Sequence, residues 1–325
     1  MGHCPTRSGS PSRLAEGVRA SSCRADPPPP RRSPLDSTRE KEGSSGPGFG
    51  ARWSAGRRLG SEGELEEWLG LAMELADLAD KMAMAAFRRD VAVSQKPDRS
   101  LVTDIDQAIE RIVRERITAA YPGHGVVGEE YGMSGPAASV RWFVDPIDGT
   151  HNFIRGIPLF GILIGIERDG ELQVGVCSAP ALGERWHARR GGGAWARSTH
   201  ALDSRPRRIR VSKVRSIGDA QVLYGSAQDI AASGRAPGFG ALVRAAWRDR
   251  GFGDFWGYAL VAEGAAEAMI EADLKPWDLA APTVVVEEAG GRVTDLDGVR
   301  TIAGGSVLAS NGLLHDELLH IVAGS

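Results

Sequence analysis

The chain has 325 residues, a length that suits about two domains or one large one, and its formal net charge is −3. Residues 1–60 hold 11 Lys/Arg against 5 Asp/Glu, so the remainder is acidic at −9. No run approaches the ~20 apolar residues of a membrane span, three cysteines make no disulfide framework, and no Cys/His cluster has zinc spacing.

Residues 1–60 are rich in Pro, Ser, Gly and Arg and show almost no apolar periodicity. Such a segment cannot bury enough surface to offset the entropy of ordering. It is expected to be a disordered extension, set apart from a folded domain over 61–325. Its arginines are scattered, with Phe49 and Trp53 as its only aromatics, so no nucleic-acid partner is expected. It has no apolar signal core, and a cytoplasmic protein free of membrane is the expectation.

Ser61-Glu62-Gly63-Glu64 has the capping-box pattern, and Leu65, Leu69, Ala72, Leu75, Ala79, Met82 and Ala86 recur behind it at helical spacing. A helix is predicted to about Phe87. A second starts near Thr103, carries Ile105, Ile109, Ile112, Val113 and Ile117, and ends at Tyr121-Pro122-Gly123. Strands are predicted at 126–128, 142–144, 162–166 and 172–177, the last two joined by Asp169-Gly170, a strong hairpin signal. Cys177 lies in the last of these, and Cys4 and Cys23 lie in the extension. Further strands are expected at 209–212, 221–224 and 307–310, and helices at about 237–249, 256–267, 278–289 and 314–322. Helices and strands in layers imply an α/β sandwich with a mixed sheet.

Four pieces carry chemistry: Gly128-Glu129-Glu130 after an apolar strand, Asp145-Pro146-Ile147-Asp148-Gly149-Thr150 after another, Trp277-Asp278 opening a helix, and Thr103-Asp104-Ile105-Asp106. Asp145 and Asp148, three residues apart at a strand end, can converge on one point, and the Gly149 and Thr150 N–H groups would face an anion. Carboxylates with free amides are what a hard cation and a phosphate need together. Taken singly, Asp148 and Asp278 read as helix N-caps and Glu129 as a surface charge. A buried carboxylate without a partner costs several kcal/mol, no basic residue adjoins these in sequence, and a shared metal would neutralise all four.

Together, and in this order, the four pieces resemble the signatures of the inositol monophosphatase family over about residues 64–323. The resemblance implies a five-layered αβαβα fold, usually dimeric, that hydrolyses phosphomonoesters with two or three Mg²⁺ ions. It makes Glu129, Asp145, the Ile147 carbonyl, Asp148 and Asp278 the metal ligands. It makes Thr150, paired with Asp106, the orienter of the attacking water, with Glu129 beside them in catalysis, and the Gly149 and Thr150 amides the phosphate cradle. With no nucleophile near the box, direct attack by water is expected.

The aromatic run Phe252-Gly253-Asp254-Phe255-Trp256-Gly257-Tyr258, with Ser178-Ala179-Pro180 and Asn311-Gly312, is similar to the histidinol-phosphatase branch of that family. His151 departs from it, standing where Lys is frequent. Histidinol phosphate carries an ammonium and an imidazole, so carboxylates outside the metal shell should face its leaving group; Asp254 and Glu271 are the candidates. The aromatics could stack on the imidazole or belong to the core. An inositol-1-phosphatase or broader sugar-phosphate phosphatase is the alternative.

Overall fold

The structure, a computed structural model, describes residues 61–97, 101–198 and 205–324. The basic extension over 1–60, with Cys4 and Cys23, lies outside the described residues. Ser61 accepts from the Glu64 N–H at 3.3 Å and starts helix α1 (Glu62–Ala86). Only half of the expected capping box forms, because the Glu64 carboxylate turns to Arg168 instead. Leu65, Trp68, Ala72, Leu75 and Ala79 make its buried stripe.

Strands β1 (Val93–Gln95) and β2 (Leu101–Thr103) form an antiparallel ribbon that leads into α2 (Asp104–Ala120). Thr103 caps that helix and Asp106 returns the bond, a full capping box. The large sheet follows: β3 (Gly125–Gly128), β4 (Gly132–Ser134), β5 (Val140–Asp148), the short helix α3 (Thr150–Ile154), then β6 (Gly161–Arg168), β7 (Glu171–Ala179), β8 (Glu184–Arg189), β9 (Gly193–Ser198) and β10 (Arg207–Arg208). Its order is β10-β9-β8-β7-β6-β5-β3-β4. The β3–β5 pair is parallel, and its neighbours β3–β4 and β5–β6 are antiparallel. The predicted hairpin turn is present, with Asp169 and Gly170 at φ 51° and 83°, as a two-residue turn between twisted strands requires.

The second half supplies β11 (Gln221–Tyr224), α4 (Ala227–Ala232), α5 (Ala236–Ala245), β12 (Arg248–Arg250), α6 (Asp254–Ala262), β13 (Ala268–Ala272), α7 (Pro276–Glu288), β14 (Arg292–Thr294), β15 (Ser306–Ser310) and α8 (His315–Ala323). These strands form a five-stranded mixed sheet in the order β12-β11-β13-β15-β14. Three apolar cores separate five layers. One core lies between α1/α2 and the large sheet, one between the two sheets around α6 and α7, and one between the small sheet and α5/α8. The expected αβαβα arrangement is therefore present.

Three boundaries differ from expectation, among them the helix expected over about 256–267, which ends at Ala262. Residues 209–212 do not form a strand, because the Ile209 N–H donates to Ala194 and the Val211 N–H to Ala289, so the segment leaves one layer for another. The helix predicted over 237–249 stops at Ala245, and Arg248–Arg250 pair in parallel with β11.

Helix α7 lies unusually close to the large sheet. Gly165 of β6 and Gly175 of β7 face Ala280 and Ala281, and a Cβ at either glycine would collide with that helix. This close approach sets the first turn of α7, with Asp278, against the end of β5.

Candidate metal and phosphate site

Asp145 and Asp148 lie at the C-terminal end of β5, where the pairing with β6 is irregular between them. That irregularity lets both carboxylates serve one cleft instead of pointing to opposite faces as strict alternation would dictate. Asp145 Oδ1 accepts from the Ile147 N–H at 3.0 Å, and Thr150 Oγ1 donates to the Ile147 carbonyl at 3.0 Å. Gly149 turns the chain at φ 80°, and a side chain there would stand 3.1 Å from the Leu159 carbonyl and 3.3 Å from Asp254 Oδ2. Asp278 lies in the first turn of α7 and accepts from the Lys275 N–H at 2.7 Å. Neither Asp148 nor Asp278 is an N-cap residue. Gly149 caps α3, and Lys275 takes that position at α7.

Asp145, Asp148 and Asp278 each bring one oxygen within 4.8 Å of the others. They line a cleft of about 200 Å³ together with Glu129, Ile147, Gly149 and Thr150. Asp254, Glu271, Phe255 and Tyr258 form another part of its wall, and no Lys or Arg lines it among the described residues. Burial pushes the Asp145 carboxyl well above the usual range, and the charges of Glu129, Asp148 and Asp278 add to it. Burial does the same to Asp148, helped by Asp254 and Asp278. Asp278 is pushed up to about 7, again mainly by burial. Such a group of like charges is stable when ionised only with a cation among them.

Asp106 is fully buried, with Oδ2 held by the Thr103 N–H and hydroxyl. Its Oδ1 is buried with no hydrogen-bond partner. The expected Thr150–Asp106 pair is not formed, because the Thr150 hydroxyl is given to the Ile147 carbonyl. The three-carboxylate group, the orphaned oxygen and the all-oxygen donor set fit a hard divalent cation such as Mg²⁺.

Glu129 lines the cleft but stands outside the three-carboxylate group. Lys96, from the loop after β1, reaches both Glu129 Oε1 at 2.7 Å and Glu130 Oε1 at 2.8 Å. No basic residue adjoins Glu129 in sequence, but the fold brings it one from 33 residues away. No local pattern marks that lysine in the sequence.

Asp254 opens α6 at φ 59°, a strained backbone for a residue other than glycine. Its Oδ2 accepts from Asn152 Nδ2 at 3.1 Å, and its N–H donates to Glu271 Oε1 at 3.1 Å. The next N–H, of Phe255, donates to Asp148 Oδ2 at 2.6 Å. Glu271 is buried, its other oxygen accepts from the Tyr258 hydroxyl, and burial pushes it up to about 8. Both Glu271 oxygens are thus engaged within the protein. Phe255 and Tyr258 are core residues at the cleft wall, whereas Phe252 and Trp256 pack on each other with centroids 5.0 Å apart at the edge of the core. Asn152 and the Tyr258 hydroxyl are site groups that sequence reasoning misses, although Asn152 stands only two residues past the Asp-Gly-Thr turn.

The model of the inositol monophosphatase family matches residues 64–324. The chain belongs to the inositol monophosphatase family. It is 47% identical over 250 residues to a histidinol-phosphatase of Mycobacterium tuberculosis, covering 77% of this chain and 95% of that one. It is 43% identical to a histidinol-phosphatase of Streptomyces coelicolor, with the same coverage. Among solved structures, a Thermotoga maritima inositol monophosphatase superposes with a TM-score of 0.70 at 30% identity, over 79% of this chain and 97% of that one. The family's layered α/β fold is the fold described above. No helix among the described residues is long and apolar enough to cross a membrane.

Proposed function

We propose that the chain hydrolyses L-histidinol phosphate to L-histidinol and phosphate, with two or three bound Mg²⁺ ions. One observation carries this reading. A single cleft holds a three-carboxylate group with Glu129 at its edge and, apart from these, two further carboxylates, Asp254 and Glu271, with His151 but no Lys or Arg lining it among the described residues. The first group suits a hard cation; the second suits a leaving group that is itself cationic. The names of the relatives at 47% and 43% identity support the same substrate.

Asp145, Asp148, Asp278, Glu129 and the Ile147 carbonyl would hold the metal, which when bound lowers the pKa of water and neutralises phosphoryl charge. The Gly149 and Thr150 amides face the phosphate. Thr150 donates its own proton to the Ile147 carbonyl, so its oxygen can accept from the attacking water, and Asp106 keeps one oxygen for the same task. Asp254 uses one carboxylate oxygen for Asn152 and offers the other to the substrate ammonium. Glu271, engaged on both oxygens, acts on the ammonium through its charge and by holding the Asp254 backbone.

The test is phosphate release from histidinol phosphate, inositol 1-phosphate, fructose 1,6-bisphosphate and phosphoadenosine phosphate, each with Mg²⁺ and with EDTA. Histidinol phosphate should be turned over with the highest kcat/KM, and EDTA should stop the reaction. A preference for inositol 1-phosphate would replace this reading with the inositol-phosphatase alternative.

A further inference from the structure

We propose that Glu110 is a positioning residue that fixes Glu129 at the edge of the acidic cleft. The inference rests on the reading of Glu129 as a metal-holding group. Glu110 lies on α2 one turn after Asp106, so the two acids share one helix face. It is fully buried. Its Oε2 accepts from the Glu130 N–H at 2.6 Å and its Oε1 from the Tyr131 N–H at 3.1 Å. These are the two backbone donors that follow Glu129. The Glu129 N–H itself donates across to the Val144 carbonyl of β5 at 3.3 Å.

The anchor is itself anchored. Arg114, four residues on, donates from Nε to Glu110 Oε1 at 2.7 Å and reaches Ser134 Oγ at 2.5 Å and the Gly132 carbonyl. The tip of the β3–β4 hairpin therefore hangs from one acid–arginine pair on α2. Gly128 fits the same account: a Cβ there would overlap the Glu110 carboxylate, so the residue before Glu129 must lack a side chain.

The need for such an anchor is electrostatic. Glu129 faces the like charges of Asp145 and Asp106, which drive it outward. Lys96 pulls on it from outside the cleft. A buried acid–arginine pair adds little net stability compared with a well-packed apolar pair. Its place in the fold is explained by the turn that it holds.

The experiment is Mg²⁺ titration by calorimetry on the full chain without substrate. Glu110→Gln should weaken Mg²⁺ binding roughly 10-fold, the lower end of the range for an outer group that orients a metal ligand. Its helical circular dichroism should be kept. The deciding readout is a double-mutant cycle with Glu129→Gln, because a residue that acts through Glu129 adds no further loss once Glu129 is gone. Should Glu110→Gln fail to fold, Glu110→Asp, which keeps the charge and withdraws the carboxylate from the turn, enters the same cycle. Unchanged Mg²⁺ affinity, or losses that simply add, would overturn the inference while leaving the metal site in place. A wild-type chain that bound no Mg²⁺ would overturn the metal reading itself.

Discussion

Along the outer face of the large sheet, the acids of α1 are met by arginines from the strands: Glu64 by Arg168, Asp77 and Asp80 by Arg185, Glu62 and Glu66 by Arg189. At the end of β5, Asp145, Asp148, Asp278, Asp254 and Glu271 line a cleft that presents no Lys or Arg among the described residues. The Arg168 bond holds the Glu64 carboxyl below its usual range, while burial lifts Asp278 to about 7 and Glu271 to about 8. The same residue type is thus paired with an arginine in one region and buried without one in the other. Where an acid fastens a helix to a sheet, the chain supplies its counter-charge. In the cleft the chain supplies less: Lys96 reaches Glu129 from outside and His151 stands near Asp254, while Asp145, Asp148 and Asp278 have no Lys or Arg beside them in the lining.

The hardest test of this contrast is Asp145→Asn or Asp148→Asn. Each should lower turnover by roughly 10³-fold or more, since a catalytic metal supplies several kcal/mol of transition-state stabilisation. The metal-free variants should melt no lower than the wild type, because a like charge has been removed. Phosphate-release assays and thermal unfolding in EDTA check both halves; full activity of either variant would erase the distinction between the two regions.

The next effect is selective. Asp254→Asn removes a charge-assisted bond to an ammonium, worth ~1.5–3 kcal/mol. It should cost roughly 10- to 150-fold in kcat/KM on histidinol phosphate and little on inositol 1-phosphate. Equal losses on both substrates would mean that Asp254 serves the site through Asn152 alone.

The third prediction concerns pH in the absence of metal. Asp278 and Glu271 have folded pKa values raised to about 7 and about 8. Their stabilising contribution is therefore present in full below the unfolded carboxyl values and is lost as pH rises through 7 and 8. The melting temperature in EDTA should fall between pH 5 and pH 8, with each group losing at most about 1.4 kcal/mol for every pH unit crossed. Mg²⁺ at pH 8 should restore it. A melting temperature that climbs to pH 8 in EDTA would show that the cleft already has a cation of its own.

The smallest effect belongs to the paired region. Arg189→Ala breaks contacts to the exposed Glu62 and Glu66, and pairs of that kind contribute about 0–1 kcal/mol. Chemical denaturation should register a change within that range, with Mg²⁺ affinity and kcat unaltered. A loss of Mg²⁺ affinity in this variant would tie the two regions together.

Much of this architecture is legible along the chain, because its rules are local. The stripe from Leu65 to Ala79 places α1, Thr103 and Asp106 start α2, and Asp169-Gly170 turns the β6–β7 hairpin. The strand-end position of Asp145 and Asp148 likewise follows from an apolar run stopped by Pro146 and Gly149. Shorter or polar strands such as β8, β9, β12 and β13 are not legible, because they are specified by their neighbours in the sheet and lack a marked apolar alternation. Helix α5 shows the same limit, since its pattern runs on through residues that β11 claims as a parallel partner.

By itself, then, the sequence picked out the carboxylates that line the cleft and the local structures on which they sit, because capping, turn formation and strand alternation act within a few residues. Tertiary structure alone decided how they are neutralised and held. Lys96 meets Glu129 across 33 residues, Asn152 meets Asp254 across 102, and the Phe255 N–H meets Asp148 across 107. Those meetings depend on how closely whole layers approach. Gly165 and Gly175 let α7 settle on the sheet, and Gly128 leaves room for Glu110 under the turn. Packing distances of that kind are set by shape complementarity between distant segments, which no local pattern of residues encodes.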